Sequence, residues 1–297
     1  MPGTGYTSDL TDQEWALLEP LLPGLRPTGR KRIHSQRVLV NAMLYVLQTG
    51  CAWRLLPVNF PSWGTVYAQY RKWRIRGVLK DVHDVLRERV RQAAGRDAQP
   101  TAGIIDSQSA KTTEAGGIRG FDGAKKVNGR KRHILVDTLG LILKVVVHPA
   151  DMQDREGGKL VLDGVKKQYP KLEKVWAAQG YTGSFLRWAK DSSDLLVEVV
   201  YPWWRQAKRY TPDLVEDVDP RKTFHVLPRR WVVERTFAWL GKCRRLSKDY
   251  EALPESTETL VYLAMIRLML RRLDRAPPQP ALHRASSGTV QRLPKNS

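Results

Sequence analysis

The chain is short of several things, and each shortage narrows the field. It has two cysteines in 297 residues, Cys51 and Cys243, with no Cys-x-x-Cys spacing. That argues for neither a disulfide framework nor a zinc site and fits a reducing cytosol. No apolar stretch reaches the roughly 18 residues that a membrane span needs. The start, MPGTGYTSDLTDQEW, offers neither a basic n-region nor an apolar core, so it does not read as a signal peptide. No internal repeat is visible. Acidic residues are scarce beside basic ones: 30 Asp and Glu stand against 50 Lys and Arg, leaving a net charge of +20. Such an excess steers a protein toward polyanions. Nucleic acid is the first partner to expect, and an anionic membrane surface is the bland rival.

What is present is enough for real cores. Hydrophobic residues make up 42% of the chain, and the length suits one large or two modest domains. Residues 1–97 read as all-helical. Ser8 or Thr11 can cap a helix through LTDQEWALLEPLLP, which Pro23 and Gly24 end. A basic linker, RPTGRKRIHS, follows. QRVLVNAMLYVLQTG has a helical period in Val38, Leu39, Met43, Leu44 and Leu47. PSWGTVYAQYRKWRIRG and VLKDVHDVLRERVRQAAG complete the set.

From residue 98 to 275 the period changes. TAGIID, KRHILVDT and LILKVVVHP are short, β-branched runs that read as three strands. A helix over EGGKLVLDGVKKQYP, a strand over LEKVWAA, a further helix, a strand over LLVEVVYP and two long helices come next. That order is the order of an α/β, RNase H-like mixed sheet flanked by helices; a generic α/β domain is the alternative. Residues 276–297, rich in Pro, Ser and basic side chains, read as a disordered tail.

Two carboxylates stand out. Asp106 ends the apolar run TAGIID, where an unpaired charge is costly. It is either a metal ligand or a cap formed with Ser107 and Ser109. Glu234 lies in RRWVVERTFAWL, whose apolar stripe is Val233, Phe237 and Leu240, with Arg230 one turn earlier. An ordinary i,i+4 ion pair is the plain reading. The surrounding Arg229, Arg230, Arg235, Lys242, Arg244, Arg245 and Lys248 favour another, in which a lone carboxylate serves metals and phosphates. Two-metal phosphoryl transfer needs such hard oxygen ligands, brought together from strand ends and a helix. Asp137, Asp151, Asp154, Asp163, Asp191 and Asp194 are not expected beside the end of the first strand.

Two further segments suit DNA. KKVNGRKRH places Lys125, Lys126, Arg130, Lys131, Arg132 and His133 between the first two strands, either as a solvated hairpin or along a phosphate backbone. In CAWRLLPVNFPSWGTVYAQYRKWR, Ser62 can cap a helix carrying Trp63, Tyr67, Tyr70, Arg71, Lys72 and Arg74, a mixture that suits a recognition helix in a major groove. Some of these aromatics must be core, Trp53 and Trp73 first.

Taken together, these motifs resemble the bacterial insertion-sequence transposases of the IS-five type, which are DDE transposases. The likeness runs from LTDQEWALLEPLLP through IIDSQSAKTTEAGGIRGFDGAKKVNGRKRHILVDTLGLIL and HPADMQDREGG to RRWVVERTFAWLGKCRRLSKDYE, nearly the whole chain to about residue 275. The resemblance implies a helical, helix-turn-helix-like N-terminal DNA-binding domain and an RNase H-like catalytic domain. It implies binding of double-stranded DNA at terminal inverted repeats, cleavage that exposes 3′-OH ends, and joining of those ends to target DNA. Two Mg²⁺ per active site, with Mn²⁺ able to substitute, a homodimer, and a cytoplasmic, nucleoid-associated location in a bacterium follow from the same likeness.

The likeness also exposes a gap. The family pattern at its second catalytic position is Trp-Ala-Asp-x-Gly-Tyr, and here the residues are Trp176, Ala177, Ala178, Gln179, Gly180 and Tyr181. Asp106 and Glu234 would then be the first and third ligands, with Ala178 where the second should stand. Lys242 falls one place later than the family's lysine. An engineered Asp-to-Ala change or a naturally inactive copy would each leave this pattern. A non-catalytic DNA-binding repressor or architectural protein is the rival reading.

Overall fold

The computed structural model describes residues 5–24, 33–114, 116–201 and 229–275. The basic linker up to residue 32, residues 202–228 and the expected tail at 276–297 lie outside them.

The N-terminal part is helical, as its periods dictate. Helix α1 (Asp12–Leu18) starts with a capping box: the Thr11 hydroxyl accepts from the Glu14 amide while the Glu14 carboxylate accepts from the Thr11 amide. It ends before Pro23, because the chain tightens into a 3-10 turn over Glu19–Leu21. Helix α2 (Gln36–Thr49) is capped by Ser35 and closed by Gly50, whose φ of 75° places it in the left-handed region. Helices α3 (Trp63–Ile75) and α4 (Val78–Ala93) follow. Ser62 occupies the N-cap of α3, but its hydroxyl meets that of Thr65 and not a backbone amide. The connection from α2 to α3 runs from Gly50 to Ser62, longer than the roughly 3–4 residues of a helix-turn-helix corner.

Six strands follow: β1 (Ala102–Lys111), β2 (Gly120–Asp122), β3 (Val127–Asp137), β4 (Ile142–Pro149), β5 (Lys174–Ala177) and β6 (Leu196–Val199). They form one mixed sheet in the order β4-β3-β1-β5-β6, with β2 paired to the start of β3. β3 is antiparallel to both β1 and β4, whereas β5 is parallel to β1 and β6 is parallel to β5. This is a mixed sheet flanked by helices, consistent with the RNase H-like expectation. No pattern in the sequence marks the short β2. The expected single helix after β4 is two, α5 (Asp154–Leu162) and α6 (Val165–Gln168), broken where Gly164 turns left-handed. Helices α7 (Ser184–Ser193), α8 (Trp231–Gly241) and α9 (Pro254–Asp274) complete the described chain.

Strand alternation sorts β1 into two cores. Ile105, Leu135, Val175 and Ala177 face α5 and α7, packing with Val161 and Phe185. Ile104, Ile134 and Val136 face the other way, into a cluster that contains Met43 of α2, Leu86 of α4, Phe237 of α8 and Ile266 of α9. The N-terminal helices therefore do not close a core of their own. Arg91 of α4 is ion-paired with Asp137 of β3 at 2.6 Å, Tyr70 of α3 donates to the Ser256 carbonyl of α9 at 2.7 Å, and Arg267 of α9 pairs with Glu14 of α1. The apolar face of α9 is spent inside this core, with Leu263, Ile266 and Leu270 buried and Leu273 partly so.

Candidate active site and nucleic-acid surface

Asp106 sits near the middle of β1 on the face turned toward α8. The parallel register pairs Ile105 with Ala177, so the next step along both strands sets Ala178 beside Asp106. Neighbouring strands lie about 4.8 Å apart. Glu234 comes from the first turn of α8. Arg230, one turn earlier, ties the two carboxylates together: its Nη2 lies 3.4 Å from Asp106 Oδ2 and 3.4 Å from Glu234 Oε1. Two oxygens that near a single nitrogen can be no farther apart than twice that distance. The topology thus joins residues more than 120 positions apart at the edge of two strands and a helix.

Burial raises the Asp106 carboxyl above its ordinary pKa, against the opposing pull of the Arg230 guanidinium, the Ser107 amide and Lys125. The Ser107 N–H donates to Asp106 Oδ1 at 2.8 Å. The oxygen donors suit a hard divalent cation in kind. They fall short in number: among the described residues no group of three or more His, Cys, Asp or Glu side chains is placed to hold a metal. Ala178 offers no donor, and its methyl packs against the α5–α7 cluster.

Below the site runs a polar network that sequence reasoning missed. The Ser107 hydroxyl donates to Asp154 Oδ1 at 2.9 Å, and Lys131 Nζ reaches the same oxygen at 3.2 Å. Tyr181, three residues beyond Ala178, meets His133 Nε2 at 2.6 Å, and His133 Nδ1 meets His148 Nε2 at 2.8 Å. Burial and the neighbouring His148 push the His133 imidazole down to about 3, and burial lowers His148 as well. A Cβ on Gly157 would come within 2.5 Å of both imidazoles, so only glycine lets α5 approach this closely. The network fixes the turn after β5 to the centre of the sheet. No pattern of period or charge marked His148, Asp154 or Tyr181 for this role.

The expected DNA contacts divide sharply. Lys125 and Lys126 are exposed, in the turn between β2 and β3. Arg130, Lys131, Arg132 and His133 are corrections: they lie inside β3, a strand with both faces covered, and their polar atoms are spent internally. Arg130 donates to the carbonyls of Ile118, Glu251 and Ala252 and pairs with Asp249 at 3.3 Å. Arg132 donates to the carbonyls of Leu246 and Lys248. Arg245 is also buried, paired with Glu251 and donating to the Cys51 carbonyl at 3.0 Å. Tyr70 is buried, as are Trp53 and Trp73. Trp63, Tyr67, Arg71 and Lys72 lie exposed along α3, with Arg74 half-buried. Around Glu234, Arg229, Lys242, Arg244 and Lys248 are exposed and Arg230 and Arg235 half-buried.

Comparison with known proteins bears on this arrangement. Residues 97–269, more than half of the chain, match the family described as "Transposase DDE domain". Residues 10–83 match a family described as "Putative transposase of IS4/5 family". The chain is 34% identical over 113 residues to the "Insertion element IS402 uncharacterized 16.2 kDa protein" of Burkholderia cepacia, covering 36% of this chain and 76% of that protein. It is 29% identical over 77 residues to "Uncharacterized protein y4sN" of Sinorhizobium fredii, covering 26% of this chain and 62% of that protein. No solved structure gives a match.

Proposed function

The chain belongs to the insertion-sequence DDE transposases, and from that premise we propose that it binds the terminal inverted repeats of a mobile element as double-stranded DNA but cannot cleave them. The observation that carries this reading is the register of β1 against β5. Ile105 pairs with Ala177, and the next residue of the chain is Ala178, an alanine with no oxygen to offer where the pattern of this family has a carboxylate. Asp106 and Glu234 are the two remaining ligands of a site that would hold two Mg²⁺ or Mn²⁺ ions. With one ligand missing the donors do not make up a complete two-metal site, and what is left to this chain's own residues is the binding of DNA.

Arg230 lies against both carboxylates and offsets part of their charge. The exposed Arg229, Lys242, Arg244 and Lys248 offer phosphate contacts on this part of the surface. Lys125, whose ammonium donates to the Ser107 carbonyl beside Asp106, and Lys126 extend that surface, and the outer face of α3 (Trp63, Tyr67, Arg71, Lys72, Arg74) supplies the groove-reading element. Phosphate contacts of the first kind give affinity and salt dependence, and base-edge contacts from α3 give sequence preference. Handling two transposon ends calls for two copies of the chain, so a homodimer forms on the DNA.

The rival reading, a non-catalytic DNA-binding protein, is favoured by the same Ala178. One experiment separates them. Labelled terminal DNA of the element is incubated with Mg²⁺ or Mn²⁺ and either this chain or its Ala178→Asp variant, with binding measured in parallel. On the transposase reading both bind, and the variant cuts and joins at least about 100-fold faster, since one metal-ligating group is worth several kcal/mol. If both bind and neither cuts, the ligand roles of Asp106 and Glu234 are withdrawn.

A further inference from the structure

Beyond Glu234, helix α8 carries a stack of alternating cations and indoles. The Arg235 guanidinium lies 4.2 Å from the Trp231 ring centre and 4.7 Å from that of Trp239, and Arg272 of α9 covers Trp239 at 4.6 Å. The stack opens into a groove of about 540 Å³ between α8, α9 and Gln48 of α2, lined by Lys242, Arg267, Arg271, Arg272 and Arg275 with no acidic residue among its lining side chains. Arg267 is already neutralised by Glu14. Lys242, Arg271 and Arg275 are exposed and make no ion pair among the described residues.

That crowding is expensive as it stands. Arg235 depresses the pKa of Arg272, and Arg271 depresses that of Arg267, each by like-charge repulsion added to burial. Cations held against one another in a concave, acid-free groove gain most from a ligand that carries a row of negative charges. The groove and the candidate active site lie along the same helix, since Lys242 lines the groove and Glu234 belongs to the site. Eight residues of helix separate Glu234 from Lys242, about 12 Å along the axis, the span of roughly three to four base-pair steps at about 3.4 Å per strand charge.

We propose that this groove holds the sugar–phosphate backbone of the DNA segment adjoining the one in the active site, with Arg271 and Arg275 of α9 as phosphate contacts and the Trp231–Arg235–Trp239–Arg272 stack as the rigid wall between the two. The proposal rests on the DNA-binding reading above and extends the binding surface to a helix whose apolar face is core.

The test uses the full chain and a fluorescein-labelled duplex of about 30 base pairs, with anisotropy followed across a salt series. The double variant Arg271→Gln/Arg275→Gln is expected to weaken binding at least fivefold and to flatten the log–log salt slope by about 1.8, roughly 0.9 for each phosphate no longer neutralised. A control, Lys159→Gln/Lys190→Gln, removes the same charge from α5 and α7 on the opposite face of the sheet and is expected to leave the slope unchanged. Thermal unfolding verifies that both variants fold. If the unmodified chain binds and the α9 variant matches it in affinity and slope, the groove is not a DNA path while the function stands. An equal loss in the control variant overturns it too, because net charge alone would then explain the effect. If the unmodified chain itself shows no salt-dependent binding, the DNA-binding reading falls and takes the groove with it.

Discussion

Two stretches of this protein are rich in positive charge and have opposite fates. In KKVNGRKRH, Arg130, Lys131, Arg132 and His133 lie in the middle of the sheet and are buried. In the stretch from Arg229 to Lys248, most of the cations are exposed around a carboxylate. The difference is one of neighbours. β3 has a strand on each side and helices over both faces, so its side chains must find partners inside the protein, and they do, in backbone carbonyls and in Asp249. α8 buries Val232, Val233, Thr236, Phe237 and Leu240 and leaves Trp231, Glu234 and Ala238 exposed. Counting charge locates neither surface nor interior. The arginines that looked like DNA contacts in fact anchor the loop between α8 and α9, and through it the helix that carries Glu234.

The contrast between the two stretches can be broken most directly at Arg130. Arg130→Ala takes the cation from Asp249, which is left with the Glu251 amide and the Thr257 hydroxyl, and its donors from three carbonyls; removing one member of a buried pair costs about 3–5 kcal/mol. Urea denaturation measures this; a drop of less than about 1 kcal/mol would show that β3 is not fastened as described. A smaller effect is expected at Glu258 of α9, a half-buried carboxyl with fewer partners. Its Oε1 accepts the Val147 amide at 2.8 Å, and burial pushes the carboxyl up to about 7. A folded pKa above the unfolded one means that stability is fullest below about 4.5 and is lost as pH rises toward 7 and past it. Glu258→Gln should therefore raise the melting temperature at about pH 8 and leave it unchanged at about pH 4, and a variant equally shifted at both would refute the titration. The smallest effect on folding belongs to the exposed set. Arg244→Ala should alter stability by less than about 0.5 kcal/mol while weakening affinity for duplex DNA in low salt, as filter binding would show.

Much of the architecture was legible because it rests on period and punctuation. Thr11 and Gly50 mark helix ends by their own chemistry, and the β-branched runs became strands where expected, whereas Ser35, read as the end of a linker, is a cap that only the structure shows. Asp106 and Glu234 were legible for a different reason: each is a carboxylate in a context that makes it conspicuous. The structure adds that one guanidinium spans both. What could not be read is whatever depends on pairing between distant segments. Strand β3 begins at Val127 and extends through residues that look like a solvated turn, because its partners β1 and β4 supply edges that no local pattern reveals. The contact of Tyr181 with His133, and of Ser107 with Asp154, joins segments that are neighbours only after the sheet has formed. The shared core had the same cause: the amphipathic face of α4 shows that it is buried, not that α9 is what covers it.

That shared core governs how the protein comes into being. Glu14 and Arg267 stand 253 positions apart in the chain, so the first helix waits for the last before its contacts are complete. At roughly 5–20 residues per second, synthesis leaves the N-terminal helices uncovered for on the order of 10 to 50 seconds. Until α9 is made, Met43, Leu47 and Leu86 lack part of the cluster that covers them in the finished fold.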